Sequence, residues 1–177
     1  MPQASNFRYK RPETLSQWLT EKRSNPNVFG RVQVALHFLR QHFPFYNDER
    51  LLSELVCHDY SLPVDVVPLL PKTQLCGYKT PGSDPLGGTY FAPAGTPLHR
   101  VGVGWEGQIN GAAVLKQFLR YSVKTRIPAV LRTRCAPARD MWSDPSRPWG
   151  QLQGGGAVQY VIPNARQYLD LAPARPT

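Results

Sequence analysis

The chain has 177 residues, of which 41% are hydrophobic and only 19% charged, with 18 prolines and 14 glycines. That hydrophobic share excludes wholesale disorder, the prolines and glycines predict many turns and short elements, and no run approaches the roughly 18 to 20 apolar residues of a membrane span. A net charge of +9 points to an anionic partner: nucleic acid, a phosphate-bearing metabolite or an acidic protein.

The N-terminus, MPQASNFRYKRPETLSQWL, has no apolar stretch of the kind that opens a secretory signal. Helical signals follow. In ETLSQWLTEKR, Thr14 precedes Gln17 by three residues, a capping-box spacing. FGRVQVALHFLRQHF places Val32, Leu36 and Leu39 on one helical face, and NDERLLSELVCHDY offers Asn47 or Asp48 as a cap before the stripe Leu51, Leu52, Leu55 and Val56. Pro26 and Pro44 separate these pieces, so three short helices are expected. His37, His42 and His58 fall among them and read as structural.

Pro63, Pro68 and Pro71 forbid a regular helix in the next passage, which reads as a hinge. KTPGSDPLGG is a turn cluster, Thr89–Phe91 suits a short strand, and Pro93 to Pro97 a tight turn. HRVGVGW reads as a strand interrupted by glycines. Val114, Leu115, Phe118 and Leu119 have the spacing of a short helix started near Asn110, and YSVKTRIPAVLRTRCA that of two strands split at Pro128. AVQYVIP is the last strand and NARQYLDL a closing turn or helix. The fold class expected is α+β: short N-terminal helices over 1–70, then a compact, mostly antiparallel β portion with irregular loops over 71–177, the two forming separate portions or one compact domain.

Cys57, Cys76 and Cys135 have no metal-binding spacing and read as ordinary thiols, with one disulfide left open. Positive charge gathers late: Lys116, Arg120, Lys124, Arg126, Arg132, Arg134, Arg139 and Arg147 face only Asp140 and Asp144. Directly after comes PWGQLQGGGAVQYVIP, residues 148–163, with three consecutive glycines between glutamines. Three glycines would weaken a strand interior, but at its mouth they let a ligand approach the backbone.

This stretch resembles the C-terminal signature of the tuberculosis necrotizing toxin group of NAD glycohydrolases and related fungal surface NADases, Ala-Pro-Trp-Phe-Gly-Gln-Pro-Gly-Gly-Gly-x-Gln-Tyr. The family's functional glutamine falls on Gln153, six before Gln159, with Gln151 as the competitor if the register slips. GGTYFAPAGTPLHR is similar to the family's Gly-x-aromatic-x-x-Pro-x-Gly-Thr-Pro passage and its following arginine, here Arg100; Asp84 is an alternative ion-pair partner for that arginine. The resemblance covers residues 70–165. It departs where the family carries an NAD-holding arginine: LCGYKTPG supplies only Lys79. The family's post-glutamine proline is Gly154 here, Arg120 stands where the tuberculosis toxin has a histidine, and ARDMWSDPSR is inserted before Trp149.

The resemblance implies an NAD(P)+ glycohydrolase toxin or effector. It implies Gln153 and Arg100 as catalytic residues and Gly154, Gly155, Gly156, Trp149, Arg120, Lys79 and Tyr90 as dinucleotide-binding residues. The dinucleotide is substrate, and neither a separate cofactor nor a metal is implied. The chemistry suits these residue types. Breaking the ribose–nicotinamide bond builds positive charge on the ribose, as in glycoside cleavage. Arginine forks match phosphate, glycine amides approach it closely, and a neutral carboxamide orients ribose hydroxyls or water. An ADP-ribosyltransferase is the alternative. It is disfavoured because no glutamate follows the glycine loop, Glu106 being the one glutamate of the β portion. A nucleic-acid-binding module lacks arginines interleaved with aromatics. An acidic inhibitory partner, and action in a target cell's cytoplasm after signal-free delivery, complete the expectations.

Overall fold

The computed structural model describes residues 13–101, 106–110, 112–136 and 155–173. The first helix, α1 (Leu15–Lys22), starts as its capping box demands: Thr14 Oγ1 accepts from the Gln17 amide at 3.2 Å, and the Thr14 amide donates to Gln17 Oε1 at 2.9 Å. Pro26 opens α2 (Pro26–His42), in the first turn where a missing N–H is no loss, and Asn25 caps it. Asn47, not Asp48, caps α3 (Asp48–Leu55), accepting from the Arg50 amide at 2.8 Å, while Asp48 and Glu49 face the positive end of the helix dipole.

Among the described residues nine strands follow: β1 (Asp65–Leu69), β2 (Gln74–Lys79), β3 (Tyr90–Pro93), β4 (Glu106–Ile109), β5 (Ala112–Leu115), β6 (Gln117–Val123), β7 (Ile127–Arg134), β8 (Val158–Val161) and β9 (Leu169–Leu171). A 3-10 turn spans Leu98–Arg100, and a four-residue helix, α4 (Ala165–Tyr168), precedes β9. Seven strands form one antiparallel sheet in the order β1-β7-β8-β3-β2-β6-β9; β4 and β5 form a separate hairpin. The α+β architecture is therefore as the sequence predicts.

Strand alternation lets the sheet serve two cores. Leu131 and Val161 pack with Trp18, Leu36, Leu39 and Leu55 of the helices. Their chain neighbours Val130 and Ile162 pack with Leu75, Phe91, Tyr121 and Ile127. Each large apolar side chain so buried contributes about 1.5–3 kcal/mol.

Four expectations are corrected. Residues 112–119 are not helical: Ile109 pairs with Ala112, Asn110 has φ 50°, and the chain then continues as β6. Asn-Gly is a strong hairpin signal, and β6 is held by β2, with Gln74 opposite Ser122 and Lys79 opposite Gln117, a pairing that local spacing does not reveal. The proline-rich hinge contains β1. Pro68 lies at a register shift, between the pairs Val67–Val130 and Leu69–Ile127, with Pro128 on the facing strand. Both residues lack an amide donor, and the irregularity accommodates both. Pro128 therefore lies inside β7, and the break from β6 falls at 124–126. In HRVGVGW, His99 and Arg100 belong to the 3-10 turn, and 102–105 lie outside the described residues.

Candidate functional site

Gln153, its competitor Gln151, Gly154 and Trp149 lie outside the described residues. The two following glycines are described. Gly155 has φ 123° and Gly156 φ 78°, backbone that side chains with a Cβ rarely adopt. The turn is pinned from several sides. The Gly156 amide donates to the Cys135 carbonyl at 2.8 Å and the Ala157 amide to the Arg100 carbonyl at 3.2 Å. Arg100 Nε donates to the Gly155 carbonyl at 3.3 Å, and Arg134 Nη1 to the Gly156 carbonyl at 3.0 Å. Arg100 reaches the turn from the 3-10 segment after Pro97; Arg134 comes from the end of β7. Two exposed guanidiniums thus converge on consecutive carbonyls of the glycine turn. Asp84 pairs with Arg166 rather than with Arg100.

Lys79 and Tyr90 meet elsewhere. Both line a cleft of about 300 Å³ between α3 and the Gly87–Tyr90 segment, with Tyr46, Arg50 and Glu54 on the helical side. Glu54 is 5% exposed. The Tyr90 hydroxyl donates to its Oε2, and Arg50 Nη2 lies 2.8 Å from its Oε1. The Arg50 guanidinium also sits 5.1 Å over the Tyr46 ring. Gly88 makes room for the lysine, since a Cβ there would come within 2.2 Å of Lys79 Nζ. That ammonium lies 4.9 Å from the Phe91 ring centre; burial pushes it below the ordinary lysine range, and Asp84 pulls it partly back.

Arg120 belongs to neither group. It lies on β6 opposite Cys76, half-buried, with β2 and β3 between it and β8. The structure therefore brings Arg100 together with Gly155 and Gly156, brings Lys79 together with Tyr90, and leaves Arg120 apart from both. The groups share a sheet: Tyr90 pairs with Val161 at one end of β8, and the glycine turn feeds the other end.

Between them, under the helices, lies a buried polar cluster. Gln159 Oε1 accepts from the Cys135 thiol at 3.1 Å, and its Nε2 donates to the Cys57 carbonyl at 3.3 Å and to His58 Nδ1 at 2.8 Å. Thr133 Oγ1 is also 2.8 Å from Nδ1. A nitrogen receiving an amide N–H is unprotonated, so the neutral ring carries its proton on Nε2, which is buried without a partner. Desolvation lowers the His58 pKa to about 4. The three cysteines are free thiols; burial raises Cys76 and pushes Cys135 up to about 12, so neither is a ready nucleophile. Among the described residues no group of three or more candidate ligands could hold a metal ion, and no helix is long and apolar enough to cross a membrane.

The sequence assigns no role to Arg50, Glu54 or Gln159, and gives Arg134 only a place in the late basic group. For Glu54 a signal existed: LLSELV places a carboxylate inside an apolar run, and a carboxylate there needs partners.

No family model matches the chain, and no curated protein matches it. Among solved structures the fold is similar to that of Tse6, determined in complex with Tsi6: 22% identity and a TM-score of 0.66, over 84% of this chain and 98% of that one. Rhs1-CT, in complex with its cognate immunity protein RhsI1, matches at 17% identity and a TM-score of 0.41, over 63% of this chain and 78% of that one, too low a score to carry an argument. What the chain shares with Tse6 at that identity is its fold.

Proposed function

We propose that this chain is an NAD(P)+ glycohydrolase acting as a toxin or effector, related to the tuberculosis necrotizing toxin group. The observation that carries the reading is the glycine turn at Gly155–Gly156, gripped by Arg100 and Arg134 at the mouth of β8. It lies where the signature sequence places the dinucleotide, within a fold shared with Tse6. In the proposed reaction the water oxygen bonds to the ribose carbon as the bond to nicotinamide breaks. The bonding pair passes to the nicotinamide ring, one proton is released, and ADP-ribose is the second product. Gln153 orients the ribose hydroxyls and the water, Arg100 holds the glycine turn in place against the substrate, and Gly154 to Gly156 offer close backbone approach. Trp149 packs on a ring of the substrate, Lys79 and Tyr90 complete the binding set, and Arg120, set apart on β6, is left out of it.

The test is release of nicotinamide from NAD+ and NADP+ by the purified chain with no acceptor present. Gln153→Ala is expected to lower kcat by about 100-fold or more, with a thermal transition near that of the wild type. Transfer of labelled ADP-ribose to a macromolecule would instead establish the transferase alternative. Salt-sensitive nucleic-acid binding without NAD turnover would establish a binding module. The +9 charge fits an acidic inhibitory partner covering the site, and Tse6 was solved in complex with Tsi6. Action in the cytoplasm of a target cell belongs to the same proposal.

A further inference from the structure

The NAD-holding arginine that the signature family carries near Lys79 is absent from this sequence, yet the cleft around Lys79 contains a guanidinium. It comes from α3, outside the stretch that resembles the family: Arg50 lines the same cleft as Lys79 and Tyr90. Its setting is that of a placed residue rather than a trailing surface side chain. Glu54, one helical turn on and buried, lies 2.8 Å from Nη2, and the Tyr46 ring supports the guanidinium plane from 5.1 Å. The same Glu54 carboxylate accepts from the Tyr90 hydroxyl, so one buried group aligns an arginine of the helical layer and a tyrosine of the sheet. The Arg50 side chain stays 44% exposed.

We infer that Arg50 takes the place of the missing arginine: with Lys79 across the cleft it holds the pyrophosphate of the dinucleotide, and Glu54 is the positioning residue that sets it. The site is then composite, built by the helical and β portions together. Arg50 and Lys79 bring two cations to this cleft, Glu54 lying against Arg50, and Asp84 acting on Lys79 while it pairs with Arg166, so both cations can donate to a pyrophosphate. On the opposite wall Gly88 leaves the space that the Lys79 ammonium occupies. This inference rests on the dinucleotide reading above.

The experiment titrates the full chain with ADP-ribose, which carries the pyrophosphate but no scissile bond, and follows NAD hydrolysis in parallel. Arg50→Ala is expected to weaken ADP-ribose binding and raise KM by roughly tenfold or more, with kcat changed less than about threefold, because a charge-assisted phosphate contact acts on ground state and transition state alike. Arg50→Ala alone strands a buried carboxylate. Arg50→Ala combined with Glu54→Gln removes the guanidinium without that penalty, and the same loss of affinity is expected. Glu54→Gln alone is expected to weaken binding by a smaller factor, since Arg50 remains but is less constrained. A chain that hydrolyses NAD with unchanged KM and unchanged ADP-ribose affinity in both Arg50 variants overturns this inference and leaves the glycohydrolase reading standing. A wild-type chain that binds ADP-ribose through Arg50 but releases no nicotinamide overturns the glycohydrolase reading and leaves the site. Absence of ADP-ribose binding to the wild type sinks both.

Discussion

Gly156 and Gly30 show how one substitution can take opposite signs. An ideal Cβ on Gly156 would meet nothing closer than Arg100 Nη2 at 3.9 Å, so space is not the obstacle; φ 78° is. Gly156→Ala is therefore expected to cost about 1–2 kcal/mol, lowering the melting temperature by roughly 2–8 °C, read by calorimetry. Gly30 sits inside α2 with nothing within 4 Å of its missing Cβ. Gly30→Ala is expected to stabilise by about 0.5–1 kcal/mol. His58 sets a pH window. Its folded pKa, about 4, lies below the ordinary histidine value of 6.5, so below 6.5 the unfolded chain takes up a proton that the native ring does not. Stability is full above that value and falls as pH drops toward 4, by about 3 kcal/mol from this group. Denaturant midpoints measured from pH 7 to 4 should show the fall, and His58→Leu should flatten it while lowering stability throughout, because Gln159 and Thr133 lose their shared acceptor.

At the scale of elements, what was legible in the sequence was what is local. Thr14 and Gln17 lie three residues apart, and their reciprocal hydrogen bonds form as that spacing requires. Thr14→Ala is expected to cost about 1 kcal/mol, measured by chemical denaturation. Asn47 also caps by a local bond, to Arg50. What was not legible depends on distant partners. Residues 112–119 carry spacing that fits a helix as well as a strand; 112–115 are decided by the hairpin with β4, and 117–119 by pairing with β2, some forty residues earlier. β1 was hidden because Pro68 argues against a strand, and the argument fails only at a register shift. The candidate site divides in the same way. Arg100 beside the glycines could be read from two motifs that the fold brings together, whereas Arg50 and Glu54 belong to a helix whose role depends on what it covers.

At the scale of the molecule, the helices are not an appendage in energetic terms. Leu131 and Val161 of the sheet are buried against Trp18, Leu36, Leu39 and Leu55, and His58 bonds to side chains on β7 and β8. A fragment beginning at residue 71 would expose that face and lose β1, the partner of β7. It is expected to show no cooperative unfolding transition by circular dichroism, whereas the full chain unfolds in one step.

The outermost strands of the sheet carry a further consequence. One margin is β1, interrupted by Pro68, and the other is β9, three residues long with a charged Asp170 at its centre. Neither offers the long, regular row of amides and carbonyls that a second chain needs in order to add itself as another strand. Concentrated solutions of the protein should accordingly resist fibril growth by edge-to-edge association, and straightening β1 through Pro68→Val would remove one of the two safeguards.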